Sequence, residues 1–184
     1  MKRYIITGTP GSGKTSIIRQ LELDNFRVVE ESATDIIAAA QAQGISEPWK
    51  EPSFIDAIAH LQKERETRSS HTSDGAQFHD RSVVCTAALA TYLGYPFSPF
   101  LTSELERIKR ESVFQKKVFF IRNLGFITPT QARRISFEES LRFEAIHEQA
   151  YCRLGFDLVY VAAGNLAERV NSILTVLQLK DGST

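Results

Sequence analysis

Residues 7–16 read TGTPGSGKTS, Thr7 through Ser16, directly after the apolar run Tyr4-Ile5-Ile6. From Gly8 to Thr15 the stretch has the form GxxxxGK[ST], with a short strand before it and a helical pattern after it. Glycines let the backbone wrap closely enough for successive N–H groups to point inward at phosphate oxygens. The helix that follows adds the positive end of its dipole. The motif therefore predicts that Gly8, Thr9, Pro10, Gly11, Ser12, Gly13, Lys14, Thr15 and Ser16 cradle the phosphates of a nucleotide. Lys14 would reach the β- and γ-phosphates, and the Thr15 hydroxyl would face Mg²⁺. A guanine reader of the NKxD type after a late strand is not found in the sequence, so ATP is favoured over GTP.

Working outward, five short apolar runs read as strands: 4–7, 26–30, 77–80, 118–122 and 158–162. Helical periodicity fills the gaps at 13–21, 32–43, 54–68, 83–93 and 101–112. Ser136-Phe137-Glu138-Glu139 and Asn165-Leu166-Ala167-Glu168 read as capping boxes that open two last helices. In the second of these, Leu166, Val170, Ile173, Leu174 and Leu177 form one apolar stripe. Strand alternating with helix predicts a mainly parallel, doubly wound sheet, covered on both faces, in one domain over 1–184. The glycine- and proline-bearing stretches 44–52, 94–99 and 125–129 read as loops rather than linkers.

Lysine plus arginine and aspartate plus glutamate balance at 22 each. Bulk charge thus gives no case for nucleic acid or an anionic membrane as partner. No apolar run approaches the roughly eighteen residues needed to span a bilayer. With no charged-then-apolar leader before the first strand, a cytoplasmic protein is expected. Cys85 and Cys152 are far apart, outside any CxxC spacing, and read as two reduced core thiols.

The other end of the bound phosphate is read from later strand ends, where ligands collect in open parallel sheets. The third strand ends His79-Asp80-Arg81-Ser82. Asp80 stands where a carboxylate facing Mg²⁺ belongs. The strand before it is less apolar than a central strand usually is, which leaves open an edge strand whose Asp80 caps the next helix. A hydrolysing ATPase commonly places glutamate directly after that aspartate; here the residue is Arg81, which favours transfer to a bound acceptor. His79 reads as a hydrogen-bonded structural residue. The second strand ends in Glu30-Glu31, and strand alternation turns one of them inward. Glu31 is favoured, with Glu30 as the alternative; the role is proton acceptor or hydrogen-bond acceptor for a substrate hydroxyl, against that of a surface carboxylate. Residues 123–136 read as a short lid, with Gly125 and Pro129 as hinges and Arg133 and Arg134 brought to the transferring phosphoryl group, or else a solvated corner. Arg122 and Arg142 are further candidates. Trp49 and the aromatic stretch Tyr95–Phe100 are either a pocket wall, a partner surface or loop packing.

The strings GTPGSGKTS, VVEES, HDRS, SFEES and LAERVNSIL, in this order, resemble the AAA-domain-like P-loop ATPase/kinase family, which also takes in nicotinamide riboside kinase domains. Asp80-Arg81-Ser82 is similar to the acidic-Arg-Ser motif of deoxynucleoside and thymidylate kinases. The resemblance implies a three-layer α/β/α P-loop NTPase fold, nucleoside/nucleotide kinase-like, with a five-stranded parallel sheet. It gives Asp80 and Arg81 roles at Mg²⁺, phosphate or acceptor, and gives Glu31 the place of the base, although the proline that usually follows is not there. Two functions compete. One is an ATP- and Mg²⁺-dependent kinase acting on a small hydroxyl- or phosphate-bearing acceptor; the other is a nucleotide-binding switch read by a protein partner.

Overall fold

The computed structural model describes residues 1–69, 75–123 and 136–178. Arg133, Arg134 and nearly all of the expected lid lie outside these residues. Among the described residues, β1 (Lys2–Thr7), α1 (Lys14–Leu23), β2 (Arg27–Val29), α2 (Ala33–Ala42), a 3₁₀ turn (Pro48–Lys50) and α3 (Ser53–Arg68) come first. Then follow β3 (Ala76–Asp80), α4 (Val83–Leu93), α5 (Pro99–Arg110), β4 (Lys117–Ile121), α6 (Phe137–Arg153), β5 (Asp157–Val161) and α7 (Leu166–Leu177). The strands form one five-stranded parallel sheet in the order β2-β3-β1-β4-β5.

Strand alternation divides the core in two. Tyr4, Ile6, Phe78, Phe119 and Ile121 face α1 and α7, meeting Ile17, Leu21, Val170, Ile173 and Leu174. Ile5 and Val118 face the other side, meeting Phe54 and Ile58 of α3, Val84 and Ala87 of α4, and Tyr151 of α6. Each crossover helix thus covers one face, as parallel pairing requires.

Several expectations are corrected. β3 is not an edge strand, since it lies between β2 and β1. Its polar residues satisfy each other: Gln77 and His79 share a face, with Oε1 and Nε2 3.1 Å apart, and the His79 ring meets Phe114 edge-on. Nor does Asp80 cap the next helix; Ser82 does, its hydroxyl accepting from the Val84 N–H at 3.3 Å. The second strand is only Arg27–Val29, because it is the sheet's edge. α5 begins two residues early, capped by Ser98 with Pro99 in its first turn, where a missing N–H costs nothing. Cys85 is a buried thiol, but Cys152 lies on the exposed side of α6. In α7 the stripe is buried at Val170, Ile173 and Leu174, whereas Leu166 in the first turn stays exposed. Both capping boxes form, with Ser136 Oγ accepting from the Glu139 N–H at 3.2 Å and Asn165 Oδ1 from the Glu168 N–H at 2.9 Å.

Candidate active site at the carboxyl ends of the strands

The loop between β1 and α1 is shaped by contacts that exclude side chains. At Gly8 (φ +142°) a Cβ would collide with the Ile121 carbonyl oxygen at the end of β4. Gly13 caps α1 in the left-handed region, φ 82°. Thr9 and Ser12 are wholly buried, yet their hydroxyl oxygens find no partner among the described residues. Buried polar atoms are normally paired, so two orphaned hydroxyls in one loop fit an anion-binding cradle. Thr15 and Ser16 open outward. Lys14 is buried, and its Nζ donates to the Thr9 carbonyl oxygen at 3.1 Å. Burial, and then the nearby Arg81 cation, bring its ammonium down to about 7 against the pull of Asp80 and Glu31.

Facing the loop are the ends of β3 and β2. Asp80 is buried with Oδ1 unpaired, and burial raises its carboxyl pKa against the lowering influence of Lys14 and Arg81. Arg81 has φ +75°, a strained conformation for a residue with a Cβ, and its N–H donates to the Ile6 carbonyl oxygen at 3.0 Å. This backbone turns the guanidinium back toward Glu31, placing Nε 3.1 Å from Oε1. Burial pushes the Glu31 carboxyl up, but Arg81, Thr34 and Lys14 outweigh it and hold the group below the ordinary range. Arg65 of α3 fixes the main chain here, donating to the carbonyl oxygens of Glu30 (3.2 Å) and Glu31 and pairing with Asp35. Of the two glutamates, Glu31 therefore joins Lys14 and Arg81, while the Glu30 side chain is exposed. Thr15 and Asp80 both line the cavity at this point, a hydroxyl and a carboxylate of the hard-oxygen type that could hold Mg²⁺.

These groups open on a cavity of about 270 Å³. One end holds Lys14, Thr15, Glu31, Asp80 and Arg81; the rest is walled by apolar side chains that include Trp49, Phe54, Leu89 and Phe143. Of the readings open for Trp49, the structure places it in this wall, with its carbonyl oxygen held by the Tyr95 hydroxyl at 3.0 Å. The remaining aromatic stretch is divided: Phe97 is exposed, and Phe100 stacks on His60 at 3.6 Å. Polar residues interrupt the wall, Gln62 and Thr86 among them: the Thr86 hydroxyl donates to Gln62 Oε1 at 2.7 Å. Neither carries a sequence signal, since α3 and α4 meet only in the fold. Arg122 points elsewhere, pairing with Glu144 at 2.5 Å and Glu148 at 2.8 Å and lying over the Tyr160 ring; Arg142 is exposed.

Behind the site, α6 supplies a layer the sequence does not announce. The Tyr151 hydroxyl meets Ser82 Oγ and Cys85 Sγ, each at 3.0 Å, and Cys85 meets Thr7 Oγ1 at 3.1 Å. His147 is fully buried, and its Nδ1 donates to the Phe143 carbonyl oxygen at 3.0 Å, which leaves Nε2 a bare acceptor. Burial first, then the nearby Arg81 and Lys14, bring its imidazole down to about 3. An unfolded histidine titrates at about 6.5. Below that pH the unfolded chain takes up a proton that folded His147 refuses. Its contribution is therefore full above pH 6.5 and lost as pH falls toward 3. Between pH 6.5 and 5 the loss is about 2 kcal/mol. Urea unfolding of His147→Gln should show a pH dependence shallower by that amount; equal slopes in parent and variant would contradict it.

A phosphate loop between the first strand and first helix, facing acidic strand ends across a parallel sheet of this order, defines a P-loop protein of nucleoside/nucleotide kinase-like fold. Residues 3–169 match the model of the AAA domain family, and the chain belongs to that family. No curated protein matches it in sequence. Among solved structures, deoxyadenosine kinase from M. mycoides with the products dCMP and a flexible dCDP bound superposes with a TM-score of 0.65 at 10% identity, over 96% of this chain and 98% of that one. The NadR protein in complex with NAD and AMP-PNP gives 0.69 at 18% identity, over 97% of this chain and 50% of that one. NadR in complex with NR gives 0.70 at 16% identity, over 97% and 51%. The chain spans about half the length of NadR, and at these identities the likeness is one of fold. Among the described residues, no helix is long and apolar enough to cross a membrane.

Proposed function

We propose that the chain is an ATP- and Mg²⁺-dependent phosphotransferase that moves the γ-phosphoryl group of ATP onto a hydroxyl of a small, nucleoside-like acceptor. The observation that carries this reading is a cavity lined both by Lys14 and Thr15 of the phosphate loop, Glu31, Asp80 and Arg81 and by the aromatic side chains of Trp49, Phe54 and Phe143. A planar, mostly apolar molecule fits such walls. A hydroxyl acceptor is favoured over a phosphomonoester because, among the described residues, the guanidinium that lines the cavity, Arg81, already faces Glu31. A second phosphate would need further cations.

In this reading Lys14 and the loop amides hold the polyphosphate, and Thr15 and Asp80 would hold Mg²⁺, which would supply charge neutralisation for the polyphosphate. Glu31 accepts the proton of the acceptor hydroxyl as its oxygen bonds to the γ-phosphorus and the bridging bond to ADP breaks. Arg81 aligns Glu31 and offsets charge on the transferring group. Arg133 and Arg134 are proposed to close over it. The work is mainly positioning and electrostatics. The test is incubation with Mg·ATP and a pool of nucleosides and other small alcohols, followed by mass spectrometry. A phosphorylated product formed in step with ADP is expected, and Glu31→Gln should lower its rate by about 10²- to 10⁴-fold while ATP still binds. A silent screen, with ATP hydrolysis raised by an added protein partner, would overturn the kinase reading in favour of a switch.

A further inference from the structure

Arg169, in the first turn of α7, is 5% exposed. Its Nη2 donates to the Ser12 carbonyl oxygen at 2.8 Å and, at 3.4 Å, to that of Arg122. Its Nε has no acceptor, and among the described residues no carboxylate lies within ion-pair distance of it. A buried guanidinium without a counter-charge is costly and calls for a compensating anion. The loop whose Ser12 carbonyl it holds is the one expected to bind a polyphosphate anion. Moreover, the Ser12 carbonyl and the Gly13 N–H belong to one trans peptide plane, in which the two point in opposite directions. Anchoring the Ser12 oxygen from outside turns the Gly13 N–H inward at the head of α1.

We propose that Arg169 is a positioning residue of the nucleotide site, one that fixes the Ser12–Gly13 peptide for phosphate binding and lends a buried positive charge that bound polyphosphate neutralises. The inference rests on the nucleotide reading above and is independent of the acceptor. Its chemistry distinguishes phosphate from base: the polyphosphate chain senses Arg169 and the nucleoside does not. The test is calorimetry of Mg·ATP and Mg·ADP, with adenosine measured by competition, for the parent, Arg169→Met and Arg169→Lys, each checked for folding by thermal melt. Arg169→Met should weaken Mg·ATP and Mg·ADP by about tenfold or more, the worth of one charge-assisted hydrogen bond, and leave adenosine unchanged. Arg169→Lys should recover part of the loss. Equal weakening of adenosine and ATP, or ATP affinity within about twofold of the parent in folded Arg169→Met, would overturn the proposal. Where Arg169→Met does not fold, Arg169→Gln decides: it keeps a donor for the Ser12 carbonyl but removes the charge, it should bind Mg·ATP several-fold more weakly, and parent-like affinity overturns the proposal. A parent that does not bind ATP at all would overturn the nucleotide reading and this inference with it.

Discussion

Arg81→Gly is expected to lower phosphoryl transfer by about 10²- to 10³-fold while leaving the protein more stable than Arg81→Ala by about 1 kcal/mol. The two effects have separate origins. Removal of the guanidinium takes away the charge opposite Glu31 and, in the proposed mechanism, the electrostatic stabilisation of the moving phosphoryl group. Both variants suffer that loss. The backbone at φ +75° is strained for any residue with a Cβ, and glycine alone relieves it. Urea unfolding together with a product assay separates the terms. Equal stability of the glycine and alanine variants would show that position 81 is not strained, and a glycine variant with near-parental turnover would remove Arg81 from the chemistry. Strain held in place beside a reactive group is a usual sign of a backbone fixed for function rather than for folding.

The second large effect is expected at Lys14. Lys14→Ala should lose affinity for both ATP and GTP by at least about a hundredfold, the cost of deleting a buried charged partner of phosphate. The unliganded protein, by contrast, should not suffer. Keeping an ammonium at this depth is unfavourable, as its fall to about 7 shows. Lys14→Met, which fills the same space without the charge, should melt at or above the parent temperature. Unchanged affinity for both nucleotides in the alanine variant would refute the loop as a phosphate cradle.

Most of the architecture is legible along the chain. The glycines around Lys14, the strand before them and the periodicity of Ile17, Ile18 and Leu21 give the first unit, and the capping boxes mark α6 and α7. Local spacing carries these signals, because they arise from hydrogen bonds within one turn. Asp80, Arg81 and Glu31 are also readable, since strand ends on one edge of a parallel sheet converge. What is hidden depends on distant elements meeting. Gln77 and His79 make β3 look like an edge strand, because their mutual bond on a shared face has no mark in the sequence. Gln62 and Thr86 meet across α3 and α4, Tyr151 reaches Ser82 from another helix, and Arg169 supports a loop 157 positions earlier in the chain. Arg65 grips the turn that bears Glu31 from α3, another contact with no mark in the sequence.

The contact of Gly8 with the Ile121 carbonyl has a longer reach than its size suggests. Only a hydrogen separates the phosphate loop from the last peptide of β4, so the loop rests on the sheet like a shelf on a bracket. It has no room to sink, and lifting it would open a void beneath. Under the proposed function, this main-chain contact sets a floor for the height at which phosphate can sit. Under that reading, substitutions among Trp49, Phe54, Gln62 and Phe143 would change which molecule is admitted and leave that floor where it is.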